Sequence, residues 1–173
     1  MAEKLFYETK RLVLQPPTLE DAPFFIELFN SPKWLKFIGD RNVHSISDAE
    51  NYITTKMLPQ QEKLGFGIYV LIEKTMQEKV GTCGLYDRPG LEGVDLGYAL
   101  LPQFEGNGYI NEAAEKLLEL AKNEFNLTQV KAITTLNHIA SHNVLLKLGF
   151  KIEKQFFMEG DSEELYLFSK SLS

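Results

Sequence analysis

Residues Leu101 to Phe125 read LPQFEGNGYINEAAEKLLELAKNEF, and the fold turns on how that stretch is read. Two glycines one residue apart, Gly106 and Gly108, stand between a strand-like run and a helix-like run. In the second run Ile110, Ala113, Leu117, Leu118, Ala121 and Phe125 recur at helical spacings, which predicts an amphipathic helix with one buried face. A helix start leaves backbone N–H groups without partners and carries roughly half a positive charge. Phosphate groups bind at such a place, and glycine lets an anion reach the backbone because no Cβ stands in the way. The stretch is therefore either a pyrophosphate cradle or a plain Gly-x-Gly turn. It is not a dinucleotide fingerprint, since Asn111 stands where a third glycine would fall. It is not a Walker loop either, since no Gly-Lys-Ser/Thr follows.

Outward from this stretch the hydrophobic period alternates between two and 3.6. Val94 to Leu100 predicts a strand before the glycines, and Val130 to Thr135 another after the helix. Ile139 to Leu148 predicts a helix that Gly149 ends in a left-handed conformation. Phe150 to Phe157 and Leu165 to Ser169 predict two strands joined by an acidic turn. Upstream, Gly67 to Ile72 and Lys79 to Leu85 predict an antiparallel hairpin. Arg11 to Leu14 predicts a first strand, stopped by Pro16 and Pro17. Thr18-x-x-Asp21 opens a helix carrying Phe24, Phe25, Leu28 and Phe29, and Trp34 to Ile38 a short second one. Ser47-x-x-Glu50 reads as a further capping box, opening a helix that Pro59 kinks or ends. The order β-α-α-β-β-β-α-β-α-β-β predicts an α/β (α+β) domain over residues 1–173. Its architecture would be one mixed central sheet of about six to seven strands flanked by about four helices.

Composition narrows the function classes. At 173 residues, 44% hydrophobic and 24% charged, the chain is long enough to bury a core. A formal charge of −6 disfavours DNA, whose binding rests on positive surface. Cys83 is the single cysteine and His44, His138 and His142 are the only histidines. No disulfide framework and no Cys- or His-based metal site is expected. No apolar run approaches the ~20 residues of a membrane span, and the start MAEKLFYETKRLVL lacks the pattern of a secretory leader. A cytoplasmic protein, a monomer or homodimer without a membrane partner, is the expectation.

The pattern Tyr98-x-Leu100-x-Pro102-x-x-Glu105-Gly106-Asn107-Gly108-Tyr109-Ile110-Asn111-Glu112-Ala113 resembles the coenzyme A segment of the GNAT N-acetyltransferase superfamily. It is most similar to the branch containing the RimJ and RimL ribosomal-protein N-terminal acetyltransferases. Thr9-x-Arg11-Leu12-Val13-Leu14 with Thr18 to Ala22, and Asn137 to Ser141 with Leu145 to Phe150, resemble the same branch. The likeness spans nearly the whole chain. In the family register Glu105 takes the place of the usual Gln or Arg, Gly108 that of the first glycine and Ile110 that of the last.

The resemblance implies a GNAT fold in which the strand before the glycines splays from its neighbour and admits the pantetheine arm of acetyl-CoA. Main chain at Ala99 and Leu100, the loop Glu105, Gly106, Asn107, Gly108, Tyr109, Ile110 and Asn111, and the side chains of Asn137 and Asn143 would then hold coenzyme A. Glu105 is expected to point to solvent and Asn143 either to hold the coenzyme or to face solvent. Asp95 stands where the branch carries Glu, and reads either as general base or as a carboxylate paired with a cation. Ser141 reads as the group that protonates the departing thiolate or as a helix N-cap. Tyr98 reads as an acid or as a sheet-face aromatic. The reaction implied is direct attack of a primary amine, from a protein N-terminus or a small molecule, on the donor in a ternary complex. A non-catalytic acyl-CoA-binding module on the same fold is the other reading.

Overall fold

The structure is a computed structural model and describes residues 6–173; the first five residues of the stretch read for a secretory leader lie outside the described residues. Strands form where β-branched and aromatic residues cluster: β1 Tyr7–Glu8, β2 Leu12–Gln15, β3 Ile68–Glu73, β4 Glu78–Tyr86, β5 Asp95–Leu100, β6 Gln129–Thr135, β7 Lys151–Phe157 and β8 Glu164–Ser171. The helices are α1 Ala22–Phe29, α2 Pro32–Phe37, α3 Ile46–Tyr52, α4 Leu58–Leu64, α5 Tyr109–Asn123 and α6 Ile139–Lys147. One sheet holds all eight strands in the order β1-β2-β3-β4-β5-β6-β8-β7. The eighth strand beyond the expected six to seven is β1, whose two residues are too short to carry a period.

Two helix boundaries differ from expectation. The cap of α3 is Ser45, whose Oγ accepts the Asp48 N–H at 3.0 Å while Asp48 Oδ2 accepts the Ser45 N–H at 3.2 Å. Ser47 lies inside the first turn. Pro59 does not end the helix either. A π turn over Ile53–Met57 joins α3 to α4, so Pro59 falls in the first turn of α4, where its missing N–H has no role. Gly65, left-handed at φ 80°, is the actual stop.

Both faces of the sheet are covered, which explains why β3 is a continuous apolar run rather than an alternating one. Its Tyr69 and Leu71 pack with Leu12, Leu14, Cys83 and Leu85 beneath Ala113, Leu117 and Ala121 of α5. Ile68 and Val70 pack on the other face against Phe25, Leu28 and Ile53. Full burial of Leu117 makes a truncation to alanine worth about 2–5 kcal/mol.

One seam of the sheet is open. Strands β4 and β5 pair antiparallel through six registered residue pairs, and β6 and β8 through seven. Between them β5 and β6 run parallel and share one registered pair, Asp95 with Lys131. Beyond it they part.

Candidate active site

The open seam leads into a cavity of about 760 Å³ lined by Gly97 and Tyr98 of β5, Ala132 to Thr135 of β6, and Ser141 and Leu145 of α6. Alternation along a strand decides which backbone groups face the gap. Leu101 N–H bonds Val80 of β4, so odd-numbered residues of β5 turn their main chain to β4. Val94 C=O accepts the Lys131 N–H, so even-numbered ones turn to β6. Where the strands have parted, Tyr98 and Leu100 therefore aim free backbone donors and acceptors into the gap. Ala99 does not. Its carbonyl lies against Gly81, 2.2 Å from where a Cβ of that residue would sit.

At the end of β5 the chain makes a 3-10 turn, Pro102–Phe104, and enters the glycine loop. Gly106 and Gly108 both take positive φ, 81° and 77°, a region that L side chains rarely adopt. Gly108 caps α5, and the first helical bond runs from Glu112 N–H to Gly108 C=O. Among the described residues the amides from Gly106 to Asn111 have no acceptor. Asn107 braces the loop by donating to the Phe104 and Glu105 carbonyls. Tyr109 and Ile110 turn inward to the core instead, so their contribution to the loop face is main chain alone. The branched Ile110 in the place of a small family residue is accommodated by that burial.

Glu105 is not free in solvent. Its Oε2 meets Lys33 Nζ of α2 at 2.5 Å. Asn137 is exposed with its Oδ1 accepting from Thr135 Oγ1 at 2.9 Å, and Asn143 is exposed on α6.

The predicted catalytic residues separate into two groups. Tyr98 and Ser141, far apart in sequence, come together: Tyr98 Oη lies 2.8 Å from Ser141 Oγ. Ser141 is not an N-cap, because α6 starts at Ile139 with His138 in the cap position. Burial pushes the Tyr98 phenol well above its ordinary value, although the Ser141 hydroxyl opposes this. Asp95 stands apart and fully engaged. Its Oδ1 accepts from Arg88 Nε at 2.7 Å and its Oδ2 from Arg88 Nη2 at 2.8 Å. Burial pushes its carboxyl up, while the Arg88 hydrogen bonds and charge pull the other way.

On the far side of the cavity, Phe29, Trp34, Phe37, Tyr52 and Tyr86 form an aromatic wall. Phe37 stacks on His138 with ring centroids 3.9 Å apart. The acidic turn contributes Glu159, Asp161 and Glu163 to the rim. Among the described residues no group of three His, Cys, Asp or Glu could hold a metal, and no helix is long and apolar enough to cross a membrane. Cys83 is wholly buried, and burial pushes its thiol up, out of reach of reactivity. Sequence reading missed Arg88 and Lys33. Neither carries a local signal, because each reaches its carboxylate through the folded chain.

A sheet opened between its parallel strands, with a bare helix mouth at the end of one of them, defines an α/β domain built to take a phosphate-bearing arm. The residues fit such a group: apart from Gly106 and its two chain neighbours, no residue comes within 4 Å of where a Gly106 Cβ would stand, and the amides around it are unspent. By sequence the chain belongs to the Acetyltransferase (GNAT) domain family, which it matches over residues 11–151. It is 28% identical over 147 residues to the uncharacterized N-acetyltransferase YoaA of Bacillus subtilis, covering 84% of this chain and 82% of that one. Its fold is similar to that of the ribosomal-protein-S5-alanine acetyltransferase of Vibrio fischeri, with TM-score 0.80, 18% identity, and 98% and 97% of the two chains covered. It is also similar to the microcin C7 self-immunity acetyltransferase MccE, solved with acetyl-CoA and AMP, with TM-score 0.78, 22% identity, and 94% and 93% covered. The protein is an acetyltransferase, and its donor is acetyl-CoA.

Proposed function

We propose that residues 1–173 work as one domain that transfers the acetyl group to a primary amine by direct attack with donor and acceptor bound together. The supporting observation is the seam that parts after one residue pair, ending in unspent amides at the mouth of α5. Acetyl-CoA supplies an acyl group activated as a thioester. Tyr98 and Leu100 offer backbone N–H groups to an oxyanion in the gap, and Gly106 to Asn111 offer theirs to the diphosphate. Asn137, past the end of β6, is available to the amides of the arm; Asn143, on the exposed face of α6, belongs to the outer part of that site.

Ser141 Oγ passes a proton to the departing sulfur and takes one back from the acetylated nitrogen, so the hydroxyl is restored when the C–S bond has broken and the C–N bond has formed. Tyr98 Oη, 2.8 Å behind it, fixes that hydroxyl in direction, and burial keeps the phenol protonated for the task. Asp95 holds Arg88 on the cavity wall, since both its oxygens are occupied. The acceptor's ammonium proton then leaves to water in the cavity rather than to Asp95. The acidic rim of Glu159, Asp161 and Glu163 favours acceptors that arrive as cations.

The test is thiol release from acetyl-CoA against a panel of peptide N-termini and small amines, beside binding of coenzyme A by calorimetry. Binding with turnover of at least one amine is expected. Binding without turnover of any would make the chain an acyl-CoA-binding module. Ser141→Ala is expected to lower kcat about 100-fold with the KM for acetyl-CoA unchanged. Asp95→Asn retaining the wild-type pH profile of kcat/KM would agree with a bracing role, and loss of the acidic limb of that profile would make Asp95 the base after all.

A further inference from the structure

The family register puts a carboxylate, Glu105, beside the diphosphate cradle, where it would repel the very group the loop is built to hold. The structure answers that charge from a distant part of the chain. Lys33 of α2 reaches across 72 positions of sequence to place Nζ 2.5 Å from Glu105 Oε2. The two side chains are 59% and 34% exposed, so the ammonium is not sealed off. It has three donors and Glu105 takes one. Glu105 in turn adjoins Gly106, the first of the left-handed glycines. The ammonium is thus tethered at the lip of the cradle with donors to spare.

We propose that Lys33 is a diphosphate-binding residue of this enzyme, held ready by Glu105, so that a lysine on α2 supplies the positive charge the loop position lacks. The inference rests on the donor reading above. Its geometry has a second support. Burial, then His142 and then the Lys33 charge push the His138 imidazole below its ordinary value, with Glu105 acting in the opposite sense. Phe37 of the same helix stacks on that imidazole with ring centroids 3.9 Å apart, so α2 borders the start of α6 as well as, through Lys33 and Glu105, the loop before α5. An exposed ion pair of this kind contributes only about 0–1 kcal/mol to stability, so its removal should spare the fold.

Calorimetric titration of coenzyme A, dephospho-coenzyme A and pantetheine into wild type, Lys33→Gln, Glu105→Gln and the double variant tests this. Lys33→Gln should weaken coenzyme A and dephospho-coenzyme A about tenfold, leave pantetheine unchanged, and melt within a degree or two of wild type. Lys33→Arg should restore most of the affinity. The double variant should stay about tenfold weaker than Glu105→Gln. If the double variant instead binds coenzyme A as tightly as Glu105→Gln, Lys33 only neutralises Glu105 and the proposal fails. Loss of the effect with dephospho-coenzyme A would move the contact to the 3′-phosphate and also overturn it. Wild type that binds no coenzyme A takes down the donor reading together with this one, an outcome separate from the other two.

Discussion

Asp95 at the start of β5 and Glu112 in the first turn of α5 are each gripped by an arginine, yet their carboxyl groups are displaced in opposite directions. Glu112 Oε1 accepts from Arg11 Nε at 2.8 Å, and its Oε2 from the Arg11 N–H at 2.9 Å and from Thr9 Oγ1 at 2.5 Å. Partial burial pushes Glu112 up, but the Thr9 and Arg11 contacts outweigh it and hold the carboxyl below its ordinary value. At Asp95 the bidentate Arg88 contact does not outweigh burial, and the carboxyl is held above its ordinary value. Side-chain exposure of 1% against 20% is the difference. A charge taken wholly out of water needs more than one good partner to come out even; a charge at the edge of water does not.

Removing each partner should separate the two cases. The largest effect is expected from Arg88→Met, which strands a buried carboxylate and costs about 3–5 kcal/mol at neutral pH, a fall in Tm of about 6–20 °C for a domain of this size. Adding Asp95→Leu should recover most of that loss, since an apolar pair of similar volume is tolerated where half an ion pair is not. Thermal melts of the three proteins decide it. If Arg88→Met melts with wild type, the carboxylate is better solvated than its burial implies.

Glu112→Gln comes next, at about 1.5 kcal/mol for weakened charge-assisted hydrogen bonds. The two variants also differ in the sign of their response to pH. Glu112, lower folded than unfolded, contributes stability that is present above its unfolded value and lost as pH falls through its folded one. The gap between wild type and Glu112→Gln should therefore close on acidification because wild type weakens. Asp95 is higher folded than unfolded, so its contribution is present at acid pH and lost as pH rises through the folded value. Arg88→Met should thus gain relative to its own neutral stability as Asp95 protonates. Urea denaturation across the carboxylate range reads both, and parallel curves for the two variants would erase the distinction.

How far this was legible in sequence follows from how local each feature is. The glycine loop, the α5 face and seven of the strands are written in neighbouring residues, and the open seam was expected from the loop's family likeness. Ser141 and Tyr98 each stand out in sequence by themselves, but their 2.8 Å meeting depends on where α6 packs. Ser47-x-x-Glu50 fits the capping pattern as well as Ser45 with Asp48 does; only the path of the chain into α3 separates them. Sequence alone does not separate Ala99 from Leu100, because strand parity is fixed only by the bond from Leu101 N–H to Val80 of β4. The cations of Asp95 and Glu105 have no signature in the sequence, even though Asp95 admits an ion-pair reading, since Lys33 sits in a different element and Arg88 in a loop without period.

The smallest effect sharpens the Glu112 side of the comparison. Gly108 takes φ 77°, and the place of its missing Cβ lies 3.5 Å from Arg11 Nη2, the arginine that Glu112 holds. That separation is an ordinary van der Waals contact, so alanine there should meet conformational strain of about 1 kcal/mol and no clash. Gly106, at φ 81° with open space around it, is the control: Gly106→Ala carries the strain and cannot touch Arg11. Equal losses of stability by urea denaturation are expected from the two. A loss at Gly108 exceeding that at Gly106 by 1 kcal/mol or more would mean that Glu112 holds Arg11 too firmly to yield, making the helix cap and the ion pair one mechanical unit. In that case Glu112→Gln should erase the excess, because a guanidinium released from its carboxylate can move aside.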